Sequence, residues 1–383
     1  MTDLKRNVPD LRFPEFEGEW EINAFGKLVN NKSKKYTPRS DEDLIDIELD
    51  SIESDSGRLV SVYDSREFSS QKNIFEKNQV LYGKLRPYLN KFHFTNFNGV
   101  CSSEIWVLNT NNISILKNEF IYNFIQTNKF SQVANQSVGS KMPRADWNLI
   151  ENIRLSIPGL KEQQKIGDFF SKLDRQIELE EQKLALLEEQ KKGYMQKIFS
   201  QELRFKDDNG NDYPEWEMRA IEELSTYSSS KKSSNQYIEV HNSEGYPVYD
   251  AVQLIGKDSQ YDMKNPYISI LKDGAGAGRL NLRQGKSSVI GTMGYILPNG
   301  IDIRFLFYRL NLLDFKKYIT GSTIPHLYYK DYSKEKILIP SDYKEQYKIG
   351  EFIFKFDRLI DIRRLKLIQL KQRKKGLLQK MFV

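Results

Sequence analysis

The sequence contains one cysteine, Cys101, and three histidines, His93, His241 and His326, which lie far apart. A single cysteine excludes a disulfide framework and a thiolate zinc site, and the scattered histidines argue against a histidine-based metal site. No apolar run approaches the roughly 18–20 residues that a membrane-spanning helix needs. The first ten residues also lack the apolar stretch of a secretory signal. We therefore expect a soluble, cytoplasmic protein without a bound metal.

The motifs of common nucleotide-dependent enzymes are also missing. There is no Gly-x4-Gly-Lys-Ser/Thr sequence, which disfavours a P-loop ATPase. The glycine run at residues 274–278 follows a predicted strand, but no convincing helix follows it and no acidic residue lies about twenty positions further on. The Asn-Pro-Tyr sequence at residues 265–267 lacks the second proline of the adenine-methyltransferase motif and precedes the glycines instead of following them. We interpret the glycine run as a turn between strands.

Positive charge is unevenly distributed along the 383 residues, whose formal net charge is +6. Residues 344–383 contain twelve basic and four acidic residues, so this segment carries more than the whole excess. Elsewhere basic and acidic patches alternate, and residues 257–336 are basic on balance. This pattern suits a protein that meets a polyanion with one face, although a solvated surface would explain it equally well.

The chain contains an internal repeat. Residues 161–199 and 344–382 are identical at 20 of 39 positions when they are aligned at an offset of 183. Upstream, at an offset of 182, a Gly-Ser-x-x-Pro sequence at residues 139–143 recurs at 321–325. The Leu-Arg-Phe sequence at 11–13 recurs at 203–205, and Trp20 corresponds to Trp216. Each half therefore consists of a variable region of about 150 residues followed by a nearly repeated segment of about forty.

Each repeated segment has the heptad pattern of a long helix. One set of stripe positions is Phe170, Ile177, Leu184, Lys191 and Ile198, with Ile353, Ile360, Leu367, Lys374 and Met381 in the second copy. Asp342 and Glu345 are spaced as a capping box for the second helix. Lysines crowd the end of both helices, and only an antiparallel pair keeps the two clusters apart. We therefore predict an antiparallel coiled coil with a pseudo-twofold axis and the variable domains at opposite ends.

The variable regions have the strand and helix patterns of mixed α/β domains, so the predicted fold class is α+β. The predicted divisions are 1–158 and 201–340 for the two variable domains, and 159–200 and 341–383 for the two helices. Strands are predicted at 79–82, 90–94, 104–108, 267–271 and 288–292. Helices are predicted at 119–129 and 304–313.

Loops that combine glycine, hydroxyl groups and cations point to nucleic acid. Glycine lets backbone N–H groups approach a phosphate, serine and threonine donate to it, and arginine or lysine can bind guanine or phosphate. A turn required by the fold is the alternative interpretation of the repeated Gly-Ser. The candidate DNA-binding residues are Lys84, Arg86, Tyr88, Lys91, Ser140, Lys141, Arg144, Lys272, Arg279, Arg283, Ser322, Thr323 and His326.

The whole chain resembles the DNA-specificity subunits of type I restriction–modification systems. The resemblance rests on the order variable region, helix, variable region, helix, and on a repeated Ile-Pro…Glu-Gln…Ile phrase. That phrase consists of Ile157, Pro158, Glu162, Gln163 and Ile166 in the first copy, and of Ile339, Pro340, Glu345, Gln346 and Ile349 in the second. The helices contain no long inserted repeat.

The resemblance implies a function in host defence. Two target-recognition domains would each read half of an interrupted, asymmetric DNA site, and the helices would fix the gap and dock two modification subunits. Those subunits carry S-adenosylmethionine and methylate adenine N6, while ATP-dependent restriction subunits cut unmethylated DNA. This chain would then have no catalytic residues and no cofactor. The predicted partner-binding residues are Glu162, Gln163, Ile166, Glu345, Gln346 and Ile349.

Two alternatives remain open at this point. A self-contained DNA adenine methyltransferase would bind S-adenosylmethionine as an isolated chain. A coiled-coil adaptor would fail to bind random duplexes at low salt, whereas a DNA-binding chain would bind them and release them as salt rises.

Overall fold

A computed structural model describes residues 7–136, 141–238 and 244–383. The chain packs into two compact units. Unit 1 comprises residues 1–181 and 365–383, and unit 2 comprises residues 182–364. Each unit combines a mixed α/β region with parts of both long helices, so the units cut across the four predicted divisions of the sequence. Those divisions remain a prediction.

The variable part of unit 1 consists of short strands, small helices and two 3₁₀ turns. Its strands are β1 Glu21–Ala24, β2 Val29–Asn30, β3 Lys35–Tyr36, β4 Ile45–Ile47, β5 Tyr63–Asp64, β6 Lys72–Phe75, β7 Val80–Gly83, β8 Phe92–Phe94, β9 Gly99–Ser102, β10 Ile105–Thr110 and β11 Arg154–Ile157. Its helices are α1 Phe25–Leu28, α2 Asn118–Phe124, α3 Asn128–Ala134 and α4 Trp147–Ile150. The long helix α5, Leu160–Phe199, begins in unit 1 and ends in unit 2.

Two sheets form the framework of unit 1. One has the strand order β2-β10-β7-β8, and the other has the order β3-β6-β9-β4-β5. Strands β1 and β11 pair separately, and β11 leads the chain into α5. The main core covers the inner face of β7 and β10 and includes Trp106 and Phe120. Phe382, beyond the last helix, also lies in this core, with its ring centroid 4.9 Å from that of Phe120.

Unit 2 repeats much of this plan. Its strands are β12 Trp216–Ala220, β13 Ser225–Ser229, β14 Tyr246–Tyr249, β15 Leu254–Asp258, β16 Tyr267–Leu271, β17 Leu280–Arg283, β18 Ser288–Val289, β19 Met293–Pro298, β20 Ile319–Thr320, β21 His326–Leu327 and β22 Lys336–Pro340. Its helices are α6 Ile221–Leu224, α7 Asn235–Ile238, α8 Ile303–Leu310 and α9 Tyr329–Tyr332. The second long helix, α10, is Tyr343–Met381 and continues into unit 1.

The sheets of unit 2 correspond to those of unit 1. The order β13-β19-β16-β17 matches β2-β10-β7-β8, and the pair β12-β22 matches β1-β11. A third sheet has the order β15-β14-β18. The main core contains Trp216, the counterpart of Trp20, together with Ile198 from the end of α5 and Ile353 from α10.

Within each unit the two long helices run antiparallel, as predicted. In unit 1, Lys374 Nζ lies 2.6 Å from Asp174 Oδ1. In unit 2, the equivalent Lys191 Nζ lies 2.5 Å from Asp357 Oδ1. The polar interruption that recurs in both heptad stripes is therefore a repeated ion pair between the helices. Burial raises the pKa of Asp174, and the adjacent Lys374 opposes that rise.

Two local predictions need correction. The helix predicted over 119–129 is interrupted: α2 ends at Phe124, and Thr127 begins α3 by accepting a hydrogen bond from Phe130 N. The capping box at α10 does not form. Asp342 accepts from Lys344 N at 2.7 Å, but the Glu345 carboxylate binds Arg204 at 3.2 Å and is completely buried.

Candidate nucleic-acid interface

In unit 1, backbone hydrogen bonds connect two of the loops that were predicted to bind DNA. We call this recognition surface 1: residues 84–88, which follow β7, and residues 141–145. Arg86 N donates to Pro143 O at 2.7 Å, and Ala145 N donates to Lys84 O at 2.8 Å. Arg86 has a left-handed backbone with φ +52°, which turns the chain sharply after β7. The exposed side chains of this surface are Arg86, Tyr88, Lys141, Met142 and Arg144, with Lys84 half-buried beside them.

A carboxylate holds one cation of recognition surface 1, the Arg144 guanidinium, in place. The Arg144 guanidinium binds both oxygens of Glu104, at 2.9 and 3.0 Å. The hydrogen bond from Arg144 lowers the pKa of Glu104, so the carboxylate stays ionised. Because Arg144 remains half exposed, its other N–H groups can still reach a ligand. Planar, bidentate-capable arginine is the side chain best suited to guanine O6 and N7.

Unit 2 joins the equivalent loops in the same way. Recognition surface 2 consists of residues 272–279, which connect β16 to β17, and residues 321–327. Gly274 N donates to Pro325 O, and Leu327 N donates to Lys272 O, both at 2.8 Å. The glycine run is a turn between two paired strands, as predicted, with positive φ at Gly274, Gly276 and Gly278. Its exposed polar residues are Arg279, Ser322 and Thr323.

A carboxylate also anchors the charged side chains of recognition surface 2. Asp273 Oδ1 lies 2.8 Å from His326 Nδ1, and its Oδ2 accepts from Lys272 Nζ at 2.7 Å. Burial works against the charged carboxylate, but the hydrogen bonds from Lys272 and His326 outweigh it and lower the pKa of Asp273. His326 therefore occupies the position of Arg144. Asp273 anchors the His326 side chain as Glu104 anchors the Arg144 side chain.

Two of the predicted DNA-binding residues, Lys91 and Arg283, do not join these surfaces. Lys91 Nζ donates to Leu49 O at 2.6 Å and to Ile52 O at 2.7 Å, so its charge stabilises an internal loop. The Arg283 guanidinium carbon lies 4.2 Å from the Tyr249 ring centroid, and burial lowers the pKa of Arg283. Ser140 lies outside the described residues.

The six predicted partner-binding residues are all buried, and we correct that prediction. Glu162, Gln163, Ile166, Glu345, Gln346 and Ile349 are at most 3% exposed. The side chain of Gln163 accepts from Lys117 N at 2.9 Å and donates to Ile115 O and Pro158 O at 2.8 Å. Gln346 likewise accepts from Asp302 N and donates to Pro340 O. These repeated residues attach each helix to its own unit, which leaves no polar atom for a partner.

The residues that hold the site together are not recognisable from the sequence alone. Glu104 orients Arg144 and Asp273 orients His326, but 40 residues separate the first pair and 53 the second. The repeated Leu-Arg-Phe sequence does not reveal what its arginine binds. Arg12 binds Glu162 through two bonds of 2.7 Å, and Arg204 binds the equivalent Glu345. Both members of each pair belong to sequences that recur in the two halves of the chain, and that recurrence is the signal that could have connected them.

The described ranges offer neither a metal site nor a membrane segment. No group of three or more histidine, cysteine, aspartate or glutamate side chains is placed there to hold a metal ion. None of the helices in those ranges combines the length and apolar composition that crossing a membrane requires.

Comparison with known proteins agrees with this geometry. The family model described as "Type I restriction modification DNA specificity domain" matches residues 17–189 and 213–372. The specificity subunit of the type I restriction enzyme EcoDI from Escherichia coli is 27% identical over 40% of this chain and 34% of its own length. The MjaVIII specificity subunit from Methanocaldococcus jannaschii is 26% identical over 65% of this chain and 66% of its own length. The chain thus spans less than two thirds of these curated relatives.

A solved structure shows the same fold. The type I restriction-modification S subunit from M. genitalium aligns with a TM-score of 0.69 at 16% identity, covering 98% of this chain and 99% of that one. Two copies of one family domain, two equivalent loop pairs and two repeated helices thus lead to one assignment: the chain belongs to the type I restriction–modification DNA specificity family.

Proposed function

We propose that this chain is the sequence-reading subunit of a type I restriction–modification complex and that each unit reads one half of an interrupted, asymmetric DNA site. The observation that carries the proposal is the equivalence of the two recognition surfaces. Backbone bonds at matching positions hold both loop pairs, whereas the exposed side chains differ between them. Two domains that recognise different half-sites need the same backbone arrangement but different exposed polar side chains, as found here.

The partners follow from the same assignment. We propose that two methyltransferase subunits supply S-adenosylmethionine and adenine methylation, that restriction subunits supply ATP-dependent cleavage, and that the complex acts in the cytoplasm. The chain itself then binds no cofactor and catalyses no step. Family membership favours this function over a self-contained methyltransferase or a DNA-free adaptor.

Because the Glu-Gln phrases are buried, the methyltransferase has to contact a different surface of the chain. Helix α10 exposes the apolar side chains of Leu359 and Ile362, the latter 58% exposed. We propose that a methyltransferase subunit covers them. Ile362→Asp should weaken co-purification of the methyltransferase, whereas Val252→Asp, at an exposed apolar loop position, should not.

The test of the function is methylome sequencing of a host that expresses the chain with its methyltransferase, followed by binding to a duplex carrying the motif found. Arg86→Gln and Arg279→Gln should each weaken specific binding by about 1–3 kcal/mol per lost base contact. Lys77→Gln, on an exposed turn of unit 1, is the matched control. Unaltered affinity and motif in both arginine variants would remove these loops from the interface.

A further inference from the structure

Recognition surfaces 1 and 2 place one carboxylate-anchored basic side chain at the same position. An offset of 182 relates Arg144 to His326, as it relates Pro143 to Pro325. Both residues follow directly after that proline, and both form an isolated bridge with the neighbouring loop, Arg144 with Leu85 and His326 with Asp273. Both side chains are also partly exposed, Arg144 at 50% and His326 at 39%. The position therefore presents a basic group to solvent in both units.

The chemistry of the two side chains differs in one respect. Arginine is a permanent cation and only donates hydrogen bonds, whereas histidine changes charge between about pH 5 and 8. We propose that His326 is the unit 2 counterpart of Arg144 as a DNA contact, that it binds an acceptor of its half-site in the protonated form, and that this makes half-site recognition by unit 2 pH-dependent. This inference rests on the proposed DNA-binding function.

The surroundings of His326 determine which nitrogen reaches the ligand. An ionised carboxylate can only accept, so the Asp273 carboxylate fixes the proton of His326 on Nδ1. Nε2 is then the nitrogen left for DNA, and within the described part of the chain it makes no hydrogen bond. Neutral imidazole would offer a lone pair at Nε2, whereas protonated imidazole offers an N–H. Only the protonated form reproduces the donor that Arg144 provides in unit 1.

Among the described residues, Asp273 contacts the imidazole directly, and Lys272 and Lys330 contact its neighbours Asp273 and Tyr328. Asp273 is the acceptor for Nδ1, and Lys272 Nζ lies 2.7 Å from the other Asp273 oxygen. On the far side, Tyr328 stacks on the imidazole with a centroid distance of 6.2 Å, and Lys330 Nζ lies 5.5 Å from the Tyr328 centroid. Thr320 adds only a neutral hydroxyl, which donates to His326 O at 3.4 Å. The Asp273 carboxylate is thus the charged group nearest the His326 ring. The ammonium groups of Lys272 and Lys330 contact Asp273 and Tyr328 instead of the ring.

The experiment is fluorescence anisotropy of the full chain, with its methyltransferase, on a short duplex carrying its methylation motif. Binding is measured from about pH 5.5 to pH 8.5 at constant ionic strength. The wild-type affinity should fall by about tenfold as pH rises, which is within the range expected for one lost base contact. His326→Arg should abolish that fall. Arg144→His should add a second pH-dependent loss, since the same frame would then hold a titrating group in unit 1.

The control is His93→Gln. His93 lies inside unit 1, where its Nδ1 is 2.8 Å from Gly57 O, and burial lowers its pKa, so this variant should keep the wild-type pH profile. Circular dichroism at each pH verifies that every variant is folded. A wild-type affinity that is flat with pH, or a fall that persists in His326→Arg, would overturn the inference while leaving DNA binding intact. Absence of motif-specific binding by the wild type at every pH would instead overturn the proposed function, and the inference with it.

Discussion

At the scale of single residues, both units contain the same buried ion pair between an arginine and a glutamate. Arg12 and Arg204 each reach a carboxylate at the start of a long helix, and Glu162 and Glu345 are 3% and 0% exposed. A buried carboxylate that loses its cation is costly, because neither water nor another donor replaces it. These two pairs therefore hold the segments before β1 and β12 against α5 and α10.

Arg12→Ala should destabilise unit 1 by about 3 kcal/mol, because it leaves Glu162 buried and uncompensated. Thermal unfolding followed by circular dichroism measures the effect. Arg66→Ala is the matched control, since Arg66 pairs with Asp64 on an exposed turn and its loss should change little. Equal effects of the two substitutions would show that the buried pair contributes no more than a surface pair.

A second residue-scale expectation concerns acid stability. Lys232 Nζ and Tyr237 Oη both donate to Asp258 Oδ2 at 2.6 Å, and these bonds lower the pKa of Asp258 well below its usual range. A carboxyl whose pKa is lower in the folded state stabilises the fold above its ordinary pKa of about 4, and this stabilisation disappears as pH falls.

Asp258→Asn should therefore lower the melting temperature at neutral pH, and the difference from wild type should shrink as pH is lowered below about 4. Differential scanning calorimetry across that range provides the measurement. Asp331→Asn, at an exposed position in α9, should show no comparable difference. A difference that stays constant with pH would mean that Asp258 acts through packing and not through charge.

At the scale of elements, each long helix is attached at its start by a buried glutamine. Gln163 connects α5 to the segment before α2, and Gln346 connects α10 to the start of α8. Each amide satisfies backbone groups that the fold has removed from water, so the loss of one side chain leaves several of them unpaired. The glutamine thus fixes the angle at which the helix leaves its unit.

Gln163→Ala and Gln346→Ala should each cost about 1–3 kcal/mol of stability. Both should leave co-purification of the methyltransferase intact once the protein is folded, because neither residue reaches the surface. Gln164→Ala, one residue along the same helix, is the control, since the Gln164 side chain donates to Asp168 in the next turn at an exposed position. Loss of the methyltransferase at unchanged melting temperature would restore the interpretation of these glutamines as partner contacts.

How far sequence predicts structure here depends on the range of the interaction. The heptad stripe predicts both long helices closely, because a regular apolar period over some forty residues is typical of a long helix and of little else, and β16 coincides with its prediction at residues 267–271. The loop composition selected both loops of each recognition surface, and backbone hydrogen bonds join them in each unit, but their contact with DNA stays a prediction. The roles of Lys91, Arg283 and Glu345 could not be derived, because their partners depend on tertiary packing. A charged residue has the same appearance in the sequence whether it faces solvent or an internal carbonyl.

At the scale of the whole molecule, the repeat predicts modular recognition. Each unit has its own sheets, its own core and its own recognition surface. Replacing residues 21–157 with the counterpart from a relative exchanges recognition surface 1 but keeps Arg12, Glu162 and both long helices. Methylome sequencing should then show a change in one half of the motif only. A change in both halves would contradict independent reading by the two units.

The residues that complete unit 1 come from opposite ends of the sequence. Leu370, Leu378, Met381 and Phe382 lie in the same core as Trp20 and Phe120, whereas unit 2 is one continuous stretch. On a ribosome, residues 21–157 leave the exit tunnel long before the side chains that cover their apolar surface have been made. Unit 2 can close as soon as residue 364 emerges, but unit 1 has to wait for the final turns of α10. The half of the protein that is translated first is therefore the half that finishes folding last, and until then its uncovered core is open to aggregation and to chaperones.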